Sequence, residues 1–110
     1  MKIVIKKGGL LWWKKYHFTL VADNGETIGR SPKFATIDDV FVALDTLKAE
    51  YGTTVDIVRN GEIDDPYHFR LLAEDEKILL WSENYHNRRD CNDTADLIKK
   101  QIKDAKVVLP

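Results

Sequence analysis

The spacing of apolar residues along the chain predicts a protein made of short strands and two helices. Apolar and polar side chains alternate over residues 2–6 and again within 10–22, which is the period of a strand with one buried face. The apolar positions from 40 to 51 follow helical spacing instead, and Thr36 is placed to cap that helix. Turn residues and β-branched content place further strands at 26–31, 53–58, 67–73, 77–82 and 107–109.

The stretch 16–31 recurs 51 residues later as 67–82, and no gap is needed to align the two copies. The same offset carries the apolar stripe of the first helix onto a second predicted helix of about 90–103, which Asn87 caps. One offset therefore joins strands and helix, and we predict two tandem copies, about 1–60 and 61–110. The identical positions of the strand region are Tyr16, His17, Phe18, Leu20, Ala22 and Ser31, which align with Tyr67, His68, Phe69, Leu71, Ala73 and Ser82.

The two copies differ at the turn between their central strands. Asn24-Gly25 is a strong hairpin signal because both residues tolerate positive φ. Asp75-Glu76 stands at the equivalent place and predicts a turn that is longer or distorted. The second copy also has no evident first strand, so the strand at 53–58 is a candidate to serve both copies.

Length and composition favour one domain over two. A unit of about 50 residues buries too little surface to be stable alone, so we expect 1–110 to form a single domain around one core. The fold class is α+β: two strand–strand–strand–helix–strand repeats, giving a mostly antiparallel sheet with both helices packed on it. The predicted core is made of Tyr16, Phe18, Leu20, Ile28, Leu44 and Leu47 with their second-copy partners.

The single cysteine and the absence of targeting signals lead us to expect a cytoplasmic protein. The single cysteine excludes an internal disulfide, and the sequence has no signal peptide, lipidation motif or long apolar run. We therefore expect no membrane association and no cofactor. The net charge is −1, but the charged residues are unevenly distributed along the chain. The first fifteen residues carry five lysines and no acid, whereas the range Glu62–Glu76 carries six acids and one cation, Arg70.

Several of these residues together resemble the YegP-like family, which comprises small bacterial and archaeal proteins of unknown function. The resemblance covers nearly the whole chain and is stronger in the first copy. It implies a unit of three strands, a helix and a strand, often in tandem, and it implies no reaction. Ala43-Leu44 departs from the Gly-Ile usual in the family's helix. The residues that carry the resemblance are Tyr16, Phe18, Leu20, Ala22, Asn24, Gly25, Glu26, Ile28, Ser31, Phe34, Thr36, Leu44 and Leu47.

Trp12, Trp13, Lys14 and Lys15 interleave aromatic rings with cations and form the first candidate site. Aromatic rings stack on bases and lysines contact phosphates, so this strand is a candidate surface for single-stranded nucleic acid. The same residues also fit a structural or protein-interface role, which we rank first.

The other tentative binding residues are the repeated pair His17 and His68, with Arg70, Arg88 and Arg89. The histidines alternate with the core-facing residues of their strands, so they belong to the opposite face of the sheet. The arginine pair is predicted to lie in a loop before the second helix. No third metal ligand accompanies the histidines in sequence, so we predict no metal site.

Cys91 occupies the apolar stripe of the second helix, which predicts a buried thiol and no nucleophile. No Ser/His/Asp order, Cys-x-x-Cys or phosphate-cradling glycine loop is present. The sequence therefore favours a small bacterial or phage protein that is no enzyme and that binds another protein or itself. Single-stranded nucleic acid is the alternative ligand.

Overall fold

A computed structural model of the chain describes residues 1–8, 16–49, 53–61 and 63–110, and these residues form a seven-stranded sheet and two α-helices. The predicted α+β class is confirmed. In chain order the elements are β1 (Lys2–Lys7), β2 (Tyr16–Val21), β3 (Thr27–Arg30), α1 (Ile37–Lys48), β4 (Thr54–Arg59), β5 (Tyr67–Leu72), β6 (Ile78–Ser82), α2 (Arg88–Gln101), a turn of 3₁₀ helix (Ile102–Asp104) and β7 (Lys106–Val108).

The strands lie side by side in the order β4-β5-β6-β3-β2-β1-β7. Neighbouring strands are antiparallel except for β7, which pairs parallel with β1. The two halves of the chain meet at the centre, where β3 pairs with β6. Each half therefore contributes strands to one continuous sheet.

Both helices pack on the same face of this sheet. Val40, Leu44 and Leu47 of α1 and Cys91 and Ile98 of α2 belong to the same buried cluster as the strand residues beneath them. The predicted core residues are buried, apart from Tyr16 and Tyr67, which are partly buried against the cluster. The strand residues of the cluster are Ile3, Ile5, Phe18, Leu20, Ile28, Phe69, Leu71, Leu79 and Leu80.

Both helices begin as the cap residues predict. The Thr36 side chain accepts a hydrogen bond from Asp39 N, and the Asn87 side chain accepts one from Asp90 N. Because α2 begins at Arg88, the prediction that Arg88 and Arg89 lie in a loop is wrong: they form the first turn of the helix. The predicted end of the first helix at residues 51–52 falls outside the described residues.

The turns after β2 and β5 have the same hydrogen bonds, so the expected distortion of the second turn is wrong. Ala22 and Ala73 each donate a backbone N–H to the carbonyl four residues later, at 2.8 and 2.9 Å. Gly25 has φ +88° and Glu76, at the equivalent place, has φ +65°. The second turn keeps the geometry of the first, and a non-glycine residue adopts the left-handed conformation there.

β4 takes the place of a first strand in the second half. It pairs antiparallel with β5 as β1 pairs with β2: Val55 lies opposite Leu71 where Ile3 lies opposite Leu20. β4 therefore pairs as a first strand of the second half would, and its service to both copies stays a prediction. The outer neighbour differs, because β7 lies beside β1 whereas no described strand lies on the far side of β4.

Candidate functional site

One row of directly paired residues crosses all seven strands on the face opposite the helices. Residues paired in this way point to the same side of a sheet. The row alternates along β1 and β2 with the buried residues Ile3, Ile5, Phe18 and Leu20, so it faces away from the core. No helix of the described residues covers it. From β4 to β7 the row is Asp56, Arg70, Trp81, Arg30, Thr19, Val4 and Val108.

Trp81 lies at the centre of this row, with Arg70 paired on one side and Arg30 on the other. Its side chain is 36% exposed, although it belongs to an interior strand. Each arginine has an acidic neighbour: Arg30 contacts Glu83 at 3.0 Å, and Arg70 donates from Nε to Asp56 Oδ2 at 3.0 Å. An aromatic ring between two guanidinium groups thus occupies the middle of the open face.

The half of this face formed by β3, β2, β1 and β7 is rich in cations. Lys6 is paired with His17, and Lys2 is paired with Lys106. Burial lowers the pKa of His17, and the charges of Lys6, Lys33 and Arg30 lower it further. Lys6, Lys33 and Arg30 therefore lie close enough to His17 to disfavour its protonated form.

Three of the predicted site residues lie on the open face. His17 is on β2, while His68 and Arg70 are on β5 on the other side of the central strand pair. The face does not bring the histidines into a metal site, because no cluster of three or more metal-ligating side chains exists among the described residues. The histidines are two separate polar positions on one surface.

Arg88 and Arg89 belong to a different surface, since α2 packs on the opposite face of the sheet. Trp12, Trp13, Lys14 and Lys15 lie outside the described residues. The sequence reasoning missed Trp81 and Arg30. The repeat offset of 51 could have drawn attention to them, because it places Arg30 and Trp81 at equivalent positions of the two aligned stretches.

Cys91 lies in the core of the second half, and Tyr85 is partly buried against it. The Cys91 side chain is fully buried, and burial raises its pKa, with a further contribution from Asp90. A buried thiol whose pKa is raised is a poor nucleophile. Burial also raises the pKa of Tyr85, which forms a side-chain hydrogen bond with Thr94 and stacks on Phe69 with ring centroids 6.3 Å apart.

The outer edge of β4 is a second exposed feature. Asn60 donates its backbone N–H to the Pro66 carbonyl at 2.6 Å, which directs Asn60 toward the β5 side. Successive residues of an antiparallel strand alternate the side to which their backbone groups point. Val55 and Ile57 therefore present their N–H and C=O groups at the outer edge, where no described strand pairs with them.

Comparison with known proteins finds one family model that matches part of the chain. A family described as a domain of unknown function (DUF1508) matches residues 64–108, within the second half of the chain. No curated protein matches. None of the helices in the described ranges is long and apolar enough to cross a membrane.

Two solved structures share the fold. One is a protein of unknown function, yegP from E. coli, with a TM-score of 0.77 and 18% identity over 98% of this chain and 90% of that one. The other is a UPF0339 protein from Shewanella oneidensis, with a TM-score of 0.75 and 18% identity over 98% and 89% of the two chains. At this identity the similarity establishes the architecture alone.

Proposed function

We propose that this protein is a non-enzymatic interaction module that self-associates by pairing the outer edge of β4 with β4 of a second copy. A strand at a sheet edge offers unpaired N–H and C=O groups to another chain. The single observation that supports the proposal is a difference between the two ends of the sheet: β1 is covered by β7, and its counterpart β4 is uncovered among the described strands.

The core residues of β4 are more exposed than those of β1. In β1, Ile3 pairs with Val107 of β7 and is 0% exposed, and Ile5, beyond the end of that pairing, is 1% exposed. Val55 and Ile57, which take the same places opposite Leu71 and Phe69, are only partly buried. A strand added outside β4 would bury these two side chains, and burial of apolar area favours association.

The composition of β4 also suits pairing. Natural sheets protect their edges with short strands, lysines and prolines. β7 is three residues long and carries Lys106, whereas β4 is six residues long and contains no lysine or proline. Asp56, the acid of β4, contacts Arg70 within the same chain and so adds little net charge to the edge.

The binding partner that matches this edge is a second copy of the chain. If two copies are related by a two-fold axis normal to the sheet, their β4 strands pair antiparallel. The core faces of the two copies then lie on the same side of the joined sheet. The outward backbone groups of Val55 and Ile57 then meet the same groups of the partner. The helices of both copies lie on one side, and the two open faces form one surface.

Sedimentation velocity over a concentration series tests this proposal. We expect a species of twice the 12.7 kDa chain mass to grow with concentration. Ile57→Pro removes an outward N–H and should abolish the dimer. Ile57→Ala is the matched control: it loses the same side-chain packing but keeps the N–H, so the dimer should remain. Circular dichroism checks that both variants fold. A monomer at every concentration, or equal behaviour of the two folded variants, overturns the proposal.

We also propose that the chain is one cytoplasmic domain, 1–110, built from two tandem copies. Support comes from contacts that recur at an offset of 51. Phe18 and Phe69 each donate a backbone N–H to a serine hydroxyl, Ser31 and Ser82, at 2.8 Å in both cases. Limited proteolysis tests the domain assignment: a single cooperative loss of the full-length band is expected, and a stable fragment of about half the chain would contradict it.

A further inference from the structure

We propose that the open face of the sheet binds single-stranded nucleic acid, with a base stacked on Trp81 and the phosphate backbone crossing the cationic half formed by β3, β2, β1 and β7. This activity is separate from self-association, because it uses the face of the sheet and not the edge of β4. The proposal depends on the position of Trp81, the arrangement of the cations and the shape of the face.

Trp81 is the aromatic platform. Leu79 and Leu80, which precede it in β6, are 4% and 0% exposed, whereas Trp81 points away from the core. Aromatic side chains on an uncovered surface stack bases without sequence preference, and their truncation weakens binding by about 5- to 100-fold per base. The ring lies at the middle of the sheet, where a strand of nucleic acid can extend to either side.

Arg30 is the nearest cation on the proposed backbone path. It pairs directly with Trp81, and its side chain is 62% exposed. Its contact with Glu83 is between two exposed groups, and such ion pairs are weak. The guanidinium can therefore exchange Glu83 for a phosphate oxygen, which it can bind through two N–H groups.

The cations continue from Arg30 toward the β7 edge. Lys6 and His17 form one cross-strand pair, and Lys2 and Lys106 form another. On the strands β1, β2 and β7, the described residues of this face include no acid. Lys6 and Arg30 of this face, together with Lys33 after β3, lie close enough to His17 to lower its pKa. A polyanion fits this arrangement, whereas an acid-rich or uncharged partner would not use all of it.

The half of the face formed by β4, β5 and β6 determines on which side of Trp81 the phosphates lie. Asp56 accepts hydrogen bonds from Arg70 and places a carboxylate at the β4 end of the row. Phosphates are therefore favoured on the β1 side of Trp81 and disfavoured on the β4 side. Val4 and Thr19, between the lysines and the central pair, give a shallow surface over which a backbone can pass.

Fluorescence anisotropy of a labelled 12-nucleotide strand, as DNA and as RNA, tests the proposal at low and moderate salt. We expect binding that weakens with salt, as release of counterions requires. Trp81→Ala should weaken it about 5- to 100-fold. Lys6→Gln and Arg30→Gln should each reduce the dependence of log affinity on log salt by about 0.7. The matched control is the double variant Lys99→Gln/Lys100→Gln, which removes two cations from α2 on the opposite side and should bind as the wild type does.

Three outcomes would overturn the proposal. The first is no binding at low salt. The second is binding that survives Trp81→Ala but is lost in Trp13→Ala or Lys14→Ala, which would move the site to the segment before β2. The third is binding of a protein partner that Trp81→Ala abolishes, with no affinity for nucleic acid, which would assign the face to that protein.

Self-association and oligonucleotide binding can be tested independently of each other. Ile57→Pro should remove self-association and leave oligonucleotide binding to the monomer measurable. Trp81→Ala should reduce oligonucleotide binding and leave the sedimentation behaviour unchanged. Loss of both activities in either variant, with the fold intact by circular dichroism, would contradict the assignment of edge and face to separate roles.

Discussion

Arg30 and Trp81 are paired directly across β3 and β6 at the centre of the sheet, and they lie 51 positions apart in the chain. This separation equals the offset at which the two halves align. The pair lies where the strands of the first half of the chain meet those of the second half. The chain carries a cation at one of these positions and an aromatic ring at the other, so the open face is asymmetric at its midpoint.

Gly29, the residue before Arg30, is required by the close approach of β6. A Cβ at this position would lie 2.9 Å from the carbonyl oxygen of Trp81 and 3.1 Å from the Leu80 side chain. We expect Gly29→Ala to lower the free energy of unfolding by about 1–3 kcal/mol, the usual cost of overpacking. Chemical denaturation measures it. Gly61→Ala is the control, because no atom lies within 4 Å of its Cβ position. Equal stability of the two variants would show that β3 and β6 are further apart.

Glu76 carries the backbone conformation that Gly25 adopts in the first turn, with φ +65° against +88°. A non-glycine residue in this region costs about 1–2 kcal/mol, and the added freedom of glycine in the unfolded chain offsets about half of that. Glu76→Gly should therefore raise the melting temperature, and Gly25→Ala should lower it. Glu76→Ala is the control and should change little, since the same positive φ is kept. A fall in melting temperature for Glu76→Gly would contradict this assignment.

Ser31 and Ser82 make the same two hydrogen bonds in different surroundings. Ser31 Oγ accepts from Phe18 N at 2.8 Å and donates to the Pro32 carbonyl at 2.7 Å, and the residue is 6% exposed. Ser82 makes the corresponding bonds but is only partly buried.

Ser31→Ala leaves a buried N–H without a partner, so we expect a loss of about 1–3 kcal/mol in unfolding free energy. Ser82→Ala should cost less, because water has better access to this partly buried site than to the one at Ser31. Urea denaturation of both variants gives the comparison. Thr46→Ala, which removes a hydroxyl bond to Val42 on an exposed helix surface, should stay within about 0.5 kcal/mol of the wild type. A larger loss for Ser82→Ala than for Ser31→Ala would refute the argument from burial.

Local patterns predicted the elements and the class of fold because they depend on neighbouring residues. Alternation along β2 and β5 gave the buried positions Phe18 and Phe69, and Thr36 and Asn87 gave the start of each helix. The second turn was misjudged because the hydrogen bonds of its backbone, and not the preference of Glu76, decide its geometry.

The order of the strands could not be predicted from the sequence. The pairing of β3 with β6 and the parallel pairing of β7 with β1 join segments that are far apart in the chain, and no local pattern records such contacts. For the same reason Trp81 was missed. It ends an apolar run, Ile78 to Trp81, which is typical of a buried strand, and only the sheet shows that this ring faces away from the core.

His17 links the charge of the open face to stability at acidic pH. Burial and the cations Lys6, Lys33 and Arg30 hold its pKa below the ordinary value of 6.5 in the folded protein. As the pH falls through this value the unfolded chain takes up a proton first, so stability is lost between the unfolded pKa and the lower folded pKa. We expect the wild type to lose more unfolding free energy than His17→Gln between pH 7.5 and pH 5 in urea titrations. NMR titration of the imidazole in Lys6→Gln should show a higher pKa than in the wild type. An unchanged pKa in that variant, or equal pH dependence of wild type and His17→Gln, would show that these cations do not act on His17.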